Sequence, residues 1–319
     1  MRVLITGTAG FIGMHTAHAM LDSGWEVVGL DNFNDYYDVS LKESRHATLE
    51  TRSGYSGHRM DLCERKKLNN LFKEVRPDAV CHLAAQAGVR YSLTNPHAYQ
   101  TANLEGFLSI LEACRHYGKP RLVYASSSSV YGGNTKLPFS EEDRVDSPVS
   151  LYAATKKANE LMAHTYSHLY DMQTIGLRFF TVYGPWGRPD MALWLFTAAM
   201  LKNQPIKVFN HGKMQRDFTY IDDIVSGVKA CLTNEYKPLY EIFNIGNHRP
   251  ENLLDMISVL GNALDVEPRM EMLPMQPGDV PATYADITRI NTAFGFKPTT
   301  PITSGIPSFV EWYRKYHQT

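Results

Sequence analysis

The chain has 319 residues, a formal net charge of −1, 44 % hydrophobic residues and 20 % charged residues. That length allows about two domains around a sizeable core, and the balanced charge gives no electrostatic reason to expect nucleic acid or an anionic membrane as a partner. Cys63, Cys81, Cys114 and Cys231 are scattered without C-x-x-C spacing, which argues against a bound metal or a disulfide framework and for a reducing, cytoplasmic setting.

Between Arg2 and Asp22 the chain carries no charge, and Ala17-His18-Ala19 has the look of a cleavage site, so a signal peptide must be weighed. Three glycines with Thr6, Thr8, His15, Thr16 and His18 make a poor apolar core. A buried strand, Val3 to Thr6, running into a helix that ends near Ser23 is the better reading. Between them stands Gly7-Thr8-Ala9-Gly10-Phe11-Ile12-Gly13, a G-x-x-G-x-x-G variant of the dinucleotide fingerprint. Gly7 suits the tight turn, Gly10 close approach of backbone to a pyrophosphate, and Gly13 helix-on-sheet packing. Amide groups at the helix start then face the anion. The next strand, Glu26 to Leu30, ends in Asp31, whose carboxylate can accept from ribose hydroxyls and repel a 2′-phosphate, favouring NAD over NADP.

Asn32 opens a polar, aromatic loop to Asp38, and a helix follows over about Leu41 to Thr51. A third strand near His58 to Met60 leads to Asp61-Leu62, placed for adenine. A helix, Glu64 to Val75, precedes the fourth strand, Ala79 to Leu83, which opens into Ala84-Ala85-Gln86-Ala87-Gly88-Val89-Arg90. Pro96 then starts a long helix to about Tyr117, and Leu122 to Ala125 is the fifth strand. This alternation implies right-handed crossovers and a Rossmann-like, doubly wound α/β fold with a parallel sheet. Ligands in such folds sit beyond the carboxyl ends of strands, where Ser126 to Ser129 falls. A helix over Ser150 to Tyr170 places Tyr152 and Lys156 on one face. A tyrosine working as a base near pH 7 needs a pKa shift of about 3 units, roughly 4 kcal/mol, and a neighbouring cation supplies part of it.

A sixth strand, Gln173 to Phe179, ends at Phe180-Thr181. Beyond residue 185 come helices at Met191 to Leu201, Ile221 to Thr233, Glu251 to Leu264 and Ile302 to about His317. Short strands are expected at Ile206 to Phe209, Met270 to Leu273 and Thr283 to Ala285. Residues 1–185 read as the dinucleotide-binding unit with the Tyr/Lys helix. Residues 186–319 read as a smaller C-terminal α/β substrate lobe, interleaved with the sheet through a strand at 241–245.

Together these motifs give the chain a clear resemblance, over essentially its whole length, to the extended short-chain dehydrogenase/reductase family of nucleotide-sugar epimerases and dehydratases. The residues that carry it are Thr6 to Gly13, Asp31, Asp61-Leu62, Leu83-Ala84-Ala85, Ser126 to Gly132, Tyr152 with Lys156, and Arg216-Asp217-Phe218. On 86–92, 183–192 and 275–281 it is similar to the UDP-glucuronate 4-epimerase branch. The resemblance implies bound NAD held by Gly7, Gly10, Phe11, Ile12, Gly13, Asp31, Asn32, Asp61, Leu62, Leu83, Ala84, Ala85, Gln86, Asn103, Tyr152, Lys156 and Phe180. It implies Tyr152 as base at the sugar C4 hydroxyl, Lys156 as its electrostatic support and Ser127 as proton relay, with Ser128 and Ser129 meeting the uronate carboxylate. A UDP-sugar is expected at Arg90, Thr181, Arg188 (near uridine or its ribose), Met191, Ala192, Lys207, Val208, Phe209, Arg216, Gln276 and Asp279, with arginine suiting the diphosphate. Galactose 4-epimerases carry an arginine where this chain has Gln276, which argues against a neutral sugar.

Related 4,6-dehydratases have an Asp-Glu pair, and decarboxylases a glutamate, directly before Val-Tyr-Gly. Ser128 and Ser129 stand there instead, so the acid that those reactions use is absent. Another UDP-sugar as substrate, decarboxylation without the usual acid, and a non-catalytic NAD-binding regulator remain as alternatives. The resemblance also implies a homodimer through the helices near 96–117 and 150–170, where Leu104, Phe107, Leu108 and Leu111 form one apolar stripe and Leu161, Met162, Tyr166 and Leu169 another.

Overall fold

A computed structural model describes residues 1–275 and 280–318. Seven parallel strands form its central sheet: β1 (Arg2–Thr6), β2 (Glu26–Asp31), β3 (Tyr55–Arg59), β4 (Ala79–His82), β5 (Arg121–Ser127), β6 (Thr174–Phe179) and β7 (Tyr240–Ile245). Their spatial order is β7-β6-β5-β4-β1-β2-β3, so the direction of winding reverses between β1 and β4. That crevice is where an open α/β sheet receives a ligand.

Strand periodicity explains how the sheet is covered. Val3 and Ile5 of β1 face helix α1 (Phe11–Asp22) and the helix Ile221–Thr233, joining Met14, Ala17, Ile224 and Val228. Leu4, between them, faces the opposite side with Leu68 and Phe72 of Arg65–Val75, Phe107 and Ile110 of Gly106–His116, and Ala163. Each such fully buried aliphatic side chain contributes about 2 kcal/mol of transfer free energy. A separate core joins the helices Ala192–Leu201, Leu253–Leu264 and Ile302–His317 through Phe196, Met256, Leu260 and Phe309. β7 pairs along its length with β6, Phe243 opposite Leu177. The chain therefore returns to the sheet between the first of those helices and the other two.

Several boundaries differ from the sequence expectations. The third strand is Tyr55–Arg59, because Gly29 of β2 lets Gly57 and its neighbours close on the sheet edge. The long helix from Pro96 is interrupted: Gln100–Glu105 is π-helical and α-helix resumes at Gly106. Asn103 lies in that stretch and its side chain bonds outward, to Gln86 and Thr155, instead of facing solvent. Ser126 and Ser127 end β5, while Ser128–Tyr131 is a 3-10 turn. Near the C-terminus the strand is Ala282–Thr283, and Ala285 makes a single bridge to Phe139. Gln276 and Asp279 lie outside the described residues.

Candidate active site

The turn from β1 to α1 is shaped to admit a dinucleotide. Gly7 has φ +80°, and its amide donates to Leu30 O at 2.6 Å. A Cβ on Gly7 would stand 2.9 Å from Ala84 N, and one on Gly13 would stand 1.9 Å from Gly7 O. Glycine is therefore required at both, for the turn and for seating α1. Gly10 caps α1 without a side chain, which leaves amides of the first helical turn open to an anion. Asp31 is buried and accepts from Ala9 N at 3.0 Å and Phe33 N at 2.8 Å. Each of its oxygens keeps a second lone pair for a ribose hydroxyl. Asp61 accepts from Cys63 N and from the Asn32 amide. Leu83, Ala84 and Ala85 are partly exposed at the end of β4, whereas Leu62, Gln86, Phe11 and Phe180 are buried. These groups fit NAD.

The tyrosine helix, Leu151–Tyr170, starts at Ser150, whose hydroxyl accepts from Ala153 N at 3.1 Å. That cap fixes where the first turn begins, and so where Tyr152 points. Lys156 is buried and donates from Nζ to Ala125 O at 2.8 Å. Burial pushes its ammonium down to about 8, so protonation there is costly without an added negative charge. Burial also raises the Tyr152 phenol; hydrogen bonding with Ser127 and the charge of Arg188 pull it back, and Asp190 opposes them. Tyr152, Lys156 and Ser127 thus meet at the carboxyl ends of the strands. Ser127 Oγ accepts from Ser129 N at 3.1 Å, which orients its proton away from the turn. Ser128 and Ser129 are partly exposed beside it.

Behind the serines lies a buried network that sequence reasoning missed. Ser126 Oγ donates to Glu160 at 2.7 Å. Arg178 of β6 holds both Glu160 oxygens, at 2.9 and 3.0 Å, and also donates to Tyr131. Tyr131 in turn donates to Asn244 of β7 at 2.6 Å. The available signals were Glu160 one turn beyond Lys156 and a lone arginine inside the otherwise apolar β6. Tyr36 and Asp190 were missed too. Asp190 is ion-paired with Arg188 and accepts from Tyr36 at 3.0 Å, and its position two residues after Arg188 was the visible hint.

The remaining candidates divide by environment. Arg188 carries its charge to Tyr152, at the reacting end of the cleft. Thr181 begins a short strand beside β6, paired to Phe218–Tyr220. Arg90 lies over the Phe209 ring, 5.5 Å from its centroid. Lys207 is exposed, whereas Val208 is wholly buried in the second core and its carbonyl accepts from Leu273 N at 2.9 Å. Met191 and Ala192 are partly exposed at the head of their helix. Arg216 donates to Gln215 O and Pro281 O. Asn103 accepts from Gln86 N and donates to Gln86 O and Thr155, so its side chain ties the end of β4 to the tyrosine helix. Among the described residues there is no metal-binding cluster, and no helix is long and apolar enough to cross a membrane.

A strand-turn-helix cradle beside Tyr152, Lys156 and Ser127 has the form of a dinucleotide-dependent enzyme site with an acid-base group. The chain belongs to the NAD dependent epimerase/dehydratase family, whose model matches residues 3–246. It is 49 % identical to UDP-glucuronate 4-epimerase 2 of Arabidopsis thaliana over 99 % of this chain and 76 % of that one. It is 45 % identical to a probable UDP-glucuronate 4-epimerase of Rhizobium meliloti over the whole of both chains. Among solved structures, the UDP-glucuronic acid 4-epimerase from Bacillus cereus in complex with UDP-glucuronic acid and NAD superimposes with a TM-score of 0.94 at 34 % identity, covering 99 % of this chain and 100 % of that one.

Proposed function

We propose that this protein is an NAD-dependent isomerase that interconverts UDP-glucuronate and UDP-galacturonate. The observation that carries the reading is the meeting of Tyr152, Ser127 and Lys156 at the strand ends, beside the charge of Arg188. NAD, when bound, takes the C4 hydride and returns it to the other face of the 4-keto sugar. Tyr152 removes and later restores the C4 hydroxyl proton, with Ser127 carrying it between oxygens. Lys156, held by Ala125 O, supports the developing phenolate. Arg188 is held through Nε and Nη2 by Asp190, and its guanidinium is the cation that we assign to the substrate. A uronate carboxylate sits one carbon from C4, so a cation that reaches Tyr152 also reaches that carboxylate. Ser128 and Ser129 offer hydroxyls and no carboxyl, in keeping with epimerisation and not with dehydration or decarboxylation.

The protein acts as a cytoplasmic homodimer in this reading. Leu108, Leu161 and Leu169 are exposed on the two neighbouring helices, while Phe107 and Leu111 of the same stripe lie in the core. That leaves an apolar face that a second copy can cover. The deciding test is incubation of purified protein with UDP-glucuronate and no added cofactor, followed by NMR of the anomeric signals. A galacto-configured uronate is the expected product. Xylose, a 6-deoxy-keto sugar or no turnover would sink the reading.

A further inference from the structure

Arg45, on the helix Val39–Glu50, is the largest side chain with no exposed surface. Its five N–H donors are all used, and none goes to a carboxylate. Nη1 donates to Ala9 O at 3.1 Å and Tyr37 Oη at 2.6 Å. Nε and Nη2 both reach Trp186 O, and Nη2 also reaches Gly187 O at 3.0 Å. One guanidinium therefore joins two chain segments that are far apart in sequence. Ala9 belongs to the Gly7–Gly13 turn, and Trp186-Gly187 leads directly into Arg188. His15 of α1 makes a second tie to the same loop, at Pro185 O, 3.0 Å.

We infer that Arg45 is a positioning residue that couples retention of the dinucleotide to the placement of the loop carrying Arg188. The inference rests on the reading of the Gly7–Gly13 turn as an NAD cradle. A buried cation without a carboxylate partner is costly, and its planar fork is suited to holding several carbonyls in one geometry. Asp31 is the acidic group whose field reaches it; the like charge of Arg188 opposes. Asp31 also accepts from Ala9 N, so Ala9 is held at both its N–H and its C=O. A diphosphate seated on this turn brings negative charge to the same residue. Binding there stabilises the Arg45 cation and, through the Trp186 and Gly187 carbonyls, fixes the start of the Arg188 segment. Loss of the fork uncouples the two, and the cofactor and the substrate are both held less well.

The test compares Arg45→Met and Arg45→Lys with the parent protein, each purified with its cofactor. Three quantities are measured: NAD retained after gel filtration, the rise in melting temperature on adding NAD, and KM and kcat for UDP-glucuronate with NAD saturating. For Arg45→Met, NAD loss should be at least about tenfold faster and KM about tenfold higher with kcat within about twofold, within the usual range of coupling between sites. Arg45→Lys keeps the charge but holds fewer carbonyls, so intermediate values are expected. A purely structural role lowers the melting temperature equally with and without NAD and leaves retention and KM unchanged; that result overturns the inference. If Arg45→Met does not fold, Arg45→Lys decides, since parent-like NAD loss in it is equally fatal. Failure of the parent to bind NAD at all would overturn the cofactor reading instead, and is told apart by that control.

Discussion

Replacing Arg178 by Met strips the two-point counter-ion from a buried carboxylate and leaves it only the more distant Lys157 ammonium, at 3.5 Å. Glu160 and Arg178 have side chains that are 1 % and 4 % exposed, so solvent cannot compensate. Breaking such a pair from one side costs about 3 to 5 kcal/mol. Unfolding entropy of about 2.1 cal/mol/K per residue, over 319 residues, gives roughly 0.7 kcal/mol/K, so melting should fall by roughly 4 to 8 °C. The double change Glu160→Gln with Arg178→Met leaves no buried charge and should cost less than Arg178→Met alone, a coupling visible in a double-mutant cycle. The pH dependence carries a second signature. In the parent, burial raises the Glu160 carboxyl, but Arg178 outweighs it and the net pKa is lowered. Its stabilising contribution is therefore present above the unfolded carboxyl value and lost as pH falls through the folded one. Without Arg178 only the upward push of burial remains large, and the penalty grows as pH rises past the unfolded value. The gap in unfolding free energy between parent and Arg178→Met, measured by urea titration, should widen from pH 4 to pH 7. A constant gap, or a double variant as unstable as the two singles summed, refutes the account.

Tyr152→Phe should retain NAD yet lose about 10²- to 10⁴-fold in turnover, the range for a general acid-base group; near-normal rates by the NMR assay would remove Tyr152 from its role. A keto intermediate of a uronate is a β-keto acid, and in the proposed mechanism the hydroxyls at Ser128 and Ser129 are assigned to hold the carboxylate away from the geometry for losing carbon dioxide. Ser128→Ala or Ser129→Ala should thus raise the fraction of decarboxylated pentose, and product mixtures no richer in pentose than the parent's would defeat that idea. Lys156 has a folded pKa depressed by burial to about 8. Its protonation penalty is complete below pH 8 and disappears as pH rises from there towards the unfolded value near 10.4, a span worth about 3 kcal/mol. Cofactor-free parent protein should gain stability over that interval relative to Lys156→Met, and parallel pH curves for the two would contradict the assignment.

The sequence by itself determined the alternation of strands and helices in the first half of the molecule, because local rules impose it there, but not the bounds of the third strand or the break at 100–105. Gly7, Gly10 and Gly13 are needed at their spacing by sterics within one turn, Asp31 by its place at a strand end, and Tyr152 with Lys156 by one helical turn. Each of those signals is contained within about thirty residues, so chain order suffices to read it. Ser127 was singled out through the family resemblance, and the strand at 241–245 was expected to return to the sheet, as it does.

Tertiary structure decided what depends on separate segments meeting. Glu160 and Arg178 look like a surface charge and an interruption until β6 packs against the tyrosine helix and removes both from water. The π-helical stretch at 100–105 has no local signature; within it Asn103 reaches Gln86 and Thr155, residues distant in the chain. Arg188 is held by Asp190, and Asp190 in turn accepts from Tyr36, 154 positions before it in the chain. Arg45 gains its meaning in the same way, from carbonyls 36 and 142 residues distant. Short-range sterics and periodicity are written in chain order. The balance of buried charge is a property of neighbours in space, which only the closed fold brings together.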